Sequence, residues 1–459
     1  MAAKPSTTKS PSTTKSPSTT KSLGLAACIA VVVGNMVGSG FYLSPSAVAP
    51  YGLLAILSWI VMGAGAICLG LTFARLARIA PVTGGPYAYT RMAYGGFAGF
   101  LVAWGYWISV WASLPAIAFA FAGAIMNLAP DVLLNKPMAL ILTLGAIWLV
   151  VLINLRGVKT AGIFAEVTTY SKLVPFAAVA LVGLFYVRSE NMPGFNPSGD
   201  SLLAASAALA PLTMFAYLGL ESATVPAGDV RDPRRTIPRS TIIGISVAAA
   251  LYVLGTVVVF GVVPREQLMN SVAPFTDAAR LMWGAGGAGA IAFAVVVSSI
   301  DALNGWTLMM GQVPMAAARD RVFPPVFGRL SGRGVPAVGI VISAALATGM
   351  VAFEALGSPG VRAFYNLVIS LSTMAAVIPY AFCALAVSLV AARAAGSAGV
   401  DAKIPRIGVV EIIAFVFSVF TVYGCGADAV LYGLLLLLLG IPVYVWQRQR
   451  NGTLSLTAG

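Results

Sequence analysis

CIAVVVGNMVGSGFYLSPSAV, residues 28–48, is an apolar stretch long enough to cross a bilayer, yet it carries Gly34, Gly38 and Gly40 in its middle. Each glycine costs a helix interior about 1 kcal/mol relative to alanine. Gly38-Ser39-Gly40 together would free backbone N–H groups, and irregular backbone at membrane depth is tolerated only where it lines a cavity or is buried in protein. Two readings are open at this point. Gly34 and Gly38 could form a small-residue stripe for close helix packing. Alternatively the helix is broken, and the freed amides, with the positive end of the next half-helix, receive a carboxylate.

A second stretch favours the break. Residues 210–229 read APLTMFAYLGLESATVPAGD, with Gly219 close to Glu221, then Pro226 and Gly228. A carboxylate inside a span is costly and marks function by default; its plainer role is a structural ion pair or a bond to helix-end amides. Interrupted helices in corresponding positions of two halves point to a binding site between inverted repeats. Breaks in the first and sixth spans predict a five-plus-five inverted repeat followed by two further helices.

Composition sets the solvent. Of the 459 residues, 59% are hydrophobic and 9% charged, and the mean hydropathy is +0.91. Soluble chains carry about 25% charged residues, so this chain faces lipid. The apolar runs are continuous rather than alternating, which excludes a barrel and predicts an all-α membrane protein. At about 20 residues per span there is room for about twelve transmembrane helices. They are expected near 23–49, 51–79, 97–127, 137–154, 160–187 and 203–227, then 238–263, 285–312, 335–356, 364–392, 408–424 and 426–446. Pro86 to Tyr94 and Phe275 to Met282 read as short amphipathic segments between spans.

The net charge of +13 would suit nucleic acid, but its placement does not. Of 28 Lys and Arg residues, 22 fall in the tails and every second loop, which puts both termini in the cytoplasm. Residues 1–22 repeat a KSPSTT unit, have nothing to bury and read as a disordered cytoplasmic tail. Residues 23–448 are expected to form a single transmembrane domain and 449–459 a second tail. The four cysteines lie in apolar runs without metal-ligand spacing, and no histidine is present, so proton coupling would run through a carboxylate. Asp301 and Lys172 are also intramembrane, and pairing with each other is the plainest expectation.

Several motifs together resemble a known family. GNMVGSGF (34–41), PVTGGPYAYTR (81–91), GLESATVPAGDVRDPRRTIP (219–238), PFTDAARL (274–281), NGWTLMMGQ (304–312) and FPPVF (323–327) are similar to the basic amino acid/polyamine antiporters of the amino acid-polyamine-organocation superfamily, and among them to arginine/agmatine exchangers. The resemblance spans about Leu23 to Arg448. It implies that a substrate carboxylate rests on amides near Ser39 and Gly40, beside Asn35 and Met36. The substrate α-amino group would meet carbonyls of Phe215, Ala216 and Leu218. Trp306 would pack on the aliphatic part as a middle gate, and Phe215 would form the outer gate. Tyr106, Glu221 and Tyr380 would form an inner gate with Glu221 proton-sensitive. Ser109, Val110, Leu114, Ile117 and Ser372 would line the side-chain pocket.

Two positions depart from that pattern. Phe215 replaces a tryptophan that stacks on guanidinium, and phenylalanine is the weaker cation–π partner. Leu114 replaces an asparagine that accepts from guanidinium. The function implied is a secondary inner-membrane antiporter, without ATP or cofactor, exchanging a cationic amino acid for its decarboxylated amine. Arginine for agmatine leads, a chemistry suited to acid resistance; proton-coupled uptake of a neutral or small amino acid is the rival. The substrate partner is thus a small molecule, with membrane lipid around it and a homodimer suggested by the resemblance. A channel would show a selectivity filter and an enzyme a nucleophile–base pair; the sequence contains neither.

Overall fold

Apolar segments in lipid fold as helices because every backbone N–H and C=O then finds its partner inside the segment. The computed structural model describes residues 23–128, 136–271, 273–357, 361–397 and 404–450. Residues 1–22 and 451–459, expected as tails, lie outside the described residues. The helices are α1 (Leu25–Met36), α2 (Ser39–Tyr42), α3 (Ser44–Val48), α4 (Leu53–Ile79), α5 (Pro86–Tyr94), α6 (Gly96–Leu128), α7 (Lys136–Leu155), α8 (Val158–Val182) and α9 (Leu202–Tyr217). They continue with α10 (Pro233–Val262), α11 (Arg265–Asn270), α12 (Pro274–Arg319), α13 (Ala337–Gly357), α14 (Val361–Ser397), α15 (Val409–Gly424), α16 (Ala427–Leu438) and α17 (Gly440–Arg450).

Eight helical segments among the described residues are long and apolar enough to cross a membrane, the last being Ala427–Arg450 across α16 and α17. Four shorter apolar helices accompany them: α1, α9, residues 337–353 of α13, and α15. Both interrupted stretches read in the sequence therefore yield short helices. The expected first span is divided into α1, α2 and α3. The sixth stops at Tyr217 and continues as turns to Asp229. Two boundaries need correction. The segment Phe275 to Met282 is the first part of α12, which bends at Gly284 (φ 72°) before the long span begins. The last helix runs to Arg450, past the expected end near residue 446.

α6 lies at the centre, packed along α12 and α14, while α4 packs along α10. α1 rests against α8, α10 and α12. Trp104 of α6 donates its indole N–H to Leu436 O at 2.8 Å, tying the centre to the C-terminal span. The lipid-facing side is made of exposed side chains on the outer helices, among them Phe353, Val409 and Leu439.

α15 is anchored through Glu411, buried in its first turn, which pairs with the half-exposed Arg75 at the end of α4. The two sides are unequal. Removing the carboxylate leaves an arginine that water can reach, whereas removing the arginine strands a buried charge. Arg75→Ala is therefore expected to lower the melting temperature of the detergent-solubilised protein by several degrees more than Glu411→Gln. Each kcal/mol is worth roughly 2–4 °C at smaller domain sizes, and equal shifts would show that Glu411 is not held by Arg75.

Candidate functional site

The first break begins at Val37, whose φ of −80° and ψ of 84° leave the helix. Phe41 and Tyr42 N–H turn back to Gly38 O at 2.9 and 3.3 Å, starting α2. The opening N–H groups of that short helix, at Ser39 and Gly40, have no helical carbonyl behind them. In the second break Leu218 is extended (ψ 141°) and Gly219 is left-handed (φ 95°), a conformation glycine adopts without strain. Turns then close from Ser222 N to Gly219 O (2.9 Å) and Thr224 N to Glu221 O (2.7 Å).

The two breaks lie against each other. A Cβ on Gly40 would stand 3.0 Å from Ala216 Cα and 3.1 Å from its N, so the backbones touch. A Cβ on Gly219 would stand 2.8 Å from Asn35 Cβ, with the Trp306 ring 3.7 Å away. On Gly305 it would overlap Asn35 Oδ1. Asn35 Nδ2 reaches Met309 Sδ at 3.4 Å, which keys α1 to α12 beside Trp306. Asn35, Gly40, Phe215, Ala216, Gly219 and Trp306 thus form one continuous surface.

Glu221 sits just beyond, fully buried. Tyr106 of α6 and Tyr380 of α14 each donate a phenolic hydroxyl to a different carboxylate oxygen, Tyr380 at 2.5 Å. One side chain of the broken sixth stretch is thereby tied to both central helices. Loop residues Thr83 and Gly84 join it from below: Thr83 Oγ1 accepts from Gly228 N at 3.1 Å and Gly84 N donates to Val225 O at 3.1 Å. In α5, Tyr87 donates to Asp320 Oδ2 at 2.7 Å, and burial together with that carboxylate holds its phenol above the ordinary range, so it remains a donor.

Met36, Ser109, Val110, Leu114, Ile117, Leu218 and Ser372 are buried, as are Phe215 and Trp306; the surface is closed on both sides. The Ser39 side chain is outside the described residues. Ser109 Oγ, Ser372 Oγ and Trp111 Nε1 are buried without a hydrogen-bond partner, so three polar atoms near the anticipated pocket have capacity to meet a ligand. Leu114 presents no polar atom there.

Several contributors escaped sequence reasoning. Tyr252 of α10 donates to Ala216 O at 2.8 Å, taking one of the two lone-pair directions of a carbonyl expected to meet substrate. Phe41 packs within 4.5–5.7 Å of the rings of Phe275, Tyr252 and Phe176, closing the surface above. A tyrosine or phenylalanine in an apolar run looks like core, and nothing in the spacing distinguishes these. Lys172 and Asp301 do pair, at 2.7 Å.

Gly219→Ala is expected to destabilise by about 1–3 kcal/mol, because it combines an unfavourable φ with a collision at Asn35. Thermal melts and ligand-induced shifts would both fall; an unchanged melt would mean that the break relaxes freely.

The amino acid permease family profile matches residues 23–432. The putrescine transporter PotE of Haemophilus influenzae is 28% identical over 434 residues, covering 92% of this chain and 96% of that protein. A putative arginine/ornithine antiporter of Bacillus subtilis is 29% identical over 453 residues, covering 90% and 94%. The cadaverine/lysine antiporter of Escherichia coli is 29% identical over 363 residues, covering 78% and 81%.

Proposed function

The chain belongs to the amino acid permease family, and we propose that it is a secondary antiporter exchanging a cationic amino acid for its decarboxylated amine across the bacterial inner membrane, with both termini cytoplasmic. The observation that carries this reading is the contact between the two helix breaks, with buried Glu221 beside it. Free amides at the Ser39–Gly40 end suit a carboxylate, and Glu221 supplies a negative field for a cation. The relatives are transporters named for putrescine, arginine/ornithine and cadaverine/lysine.

Helix packing supports the five-plus-five inverted repeat. The first span touches the fifth and seventh (α1 with α8 and α10), as the sixth touches the tenth and second (α9 with α14 and α4). The third touches the tenth (α6 with α14), as the eighth touches the fifth (α12 with α8). Interchanging the halves maps each of these pairs onto its counterpart, while the contact of α1 with α12 has no equal in α9 with α6; α15 to α17 lie outside the repeat.

Within this class the pocket favours a terminal ammonium. A guanidinium presents five donors in a fixed plane, and Leu114 offers none of them an acceptor. An ammonium needs at most three, and the Ser109 and Ser372 hydroxyls can serve it. Phe215 gives a smaller stacking face than tryptophan. Ornithine for putrescine, or lysine for cadaverine, therefore leads over arginine for agmatine. The amine carries one more net positive charge than the amino acid, so each turn exports one charge. Trp306 and Phe215 divide the occluded substrate from one side, and Tyr106, Glu221 and Tyr380 from the other.

In proteoliposomes, labelled ornithine should exchange faster against internal putrescine than labelled arginine against agmatine. Uptake of a neutral amino acid driven by a pH gradient, without counter-substrate, would overturn the reading. Leu114→Asn should shift preference toward arginine by about tenfold, the worth of one well-placed polar contact. Glu221→Gln should remove most exchange and flatten its pH profile, and an unaltered profile would release Glu221 from proton coupling.

A further inference from the structure

Three successive residues of α12 each meet a different element. Asn304 is 1% exposed, and its side-chain oxygen accepts from Asn154 Nδ2 of α7 at 2.9 Å. Gly305 receives Asn35 of α1, since a Cβ there would overlap Asn35 Oδ1. Trp306 lies against the second break, its ring 3.7 Å from where a Cβ on Gly219 would stand. Neighbouring residues of a helix are turned about 100° from one another. Whatever fixes the rotation of α12 at Asn304 therefore also fixes how Gly305 and Trp306 meet the two breaks.

Asn154 is 2% exposed. The same nitrogen reaches Val150 O of its own helix at 2.9 Å and Asn304 O at 3.4 Å. This decides which way the amide faces, because turned over it would set its oxygen against two backbone carbonyls. In the observed pose Asn154 Oδ1 is buried without a hydrogen-bond partner. As a stabilising device the pair is poor. An interhelical hydrogen bond in lipid contributes little, because the unfolded chain in the membrane also finds partners, while a buried acceptor left unpaired is costly. Two leucines would hold α7 to α12 as well. They would not choose a rotation, whereas a buried amide pair favours one register over its neighbours. α7 itself packs along α6, α12 and α13, so the pair is anchored beside the central helix and not on either break.

We propose that Asn154 is a positioning residue for transport: its amide fixes the rotation of α12 at Asn304, and so seats Gly305 on Asn35 and the Trp306 ring against the Gly219 turn. α7 contributes no residue to the surface built from the two breaks, yet it sets the fit of that surface. The consequence for transport rests on the carrier reading; the consequence for the seat of α12 does not.

The test compares the full wild-type chain with Asn154→Leu/Asn304→Leu, which removes both side-chain amides together, a change close to neutral for stability. Melting temperatures are read first, in detergent and without substrate. Gly305→Ala in the wild-type chain should lower the melt by several degrees, because the new Cβ meets Asn35 on a helix that cannot turn away. In the double variant the same substitution should lower it by no more than about half as much. Equal losses in the two backgrounds overturn the proposal. Ornithine–putrescine exchange in proteoliposomes is read second. The double variant should melt within a few degrees of the wild type, yet its half-saturating concentration should rise about fivefold, the worth of one hydrogen bond, with the maximal rate less affected. An unchanged half-saturating concentration in that folded variant also overturns the proposal, reducing Asn154 to packing. If the double variant does not fold, Asn154→Ala takes its place in both readings and the same outcomes decide. Absence of ornithine–putrescine exchange in the wild type would remove that reading of the substrate, and the substrate-free melts would then decide the role of Asn154 alone.

Discussion

A lipid-embedded chain has no water to satisfy a loose backbone group, and the architecture follows from how two interrupted helices meet that constraint. At the first interruption, Lys172 takes the stranded carbonyls of Gly34 and Val37. At the second, Tyr252 takes Ala216 O, and tight turns at Gly219 and Glu221 consume others. On the carrier reading proposed above, the opening amides of α2 are the groups that would meet a substrate carboxylate.

Glycine makes the meeting of the two breaks possible. Gly40 lets α2 touch the Ala216 backbone, Gly219 turns left-handed against Asn35, and Gly305 makes room for the Asn35 amide. The result is a surface assembled from three separate elements, none of which could bend this way alone. It also explains why α1 and α9 are short: each helix ends where the other one needs space.

Buried carboxylates are compensated in three different ways. Glu411 pairs with an arginine that water can still reach. Asp301 meets a fully buried ammonium and two hydroxyls. Glu221 has only the phenols of Tyr106 and Tyr380, so it lacks a neighbouring cation among its bonded partners. The first arrangement holds a helix in place and the second holds α1 in place. The third leaves a buried carboxylate whose side-chain partners are both neutral.

The sequence by itself determined the solvent, the helical class, the two break points and the intramembrane charges. Each of these is a local property: hydropathy over one span, glycine beside serine or leucine, a carboxylate where lipid forbids one. The motif resemblance added the family, and it named Tyr106 and Tyr380 beside Glu221. Only the tertiary structure decided that Gly40 faces Ala216, that Tyr252 occupies a carbonyl expected for substrate and that Thr168 and Thr169 complete the Asp301 pair. Those contacts join residues more than a hundred positions apart, or tyrosines and threonines indistinguishable from core filling. No periodicity records them, because the requirement they meet, a partner for each buried polar atom, is satisfied in space and not along the chain.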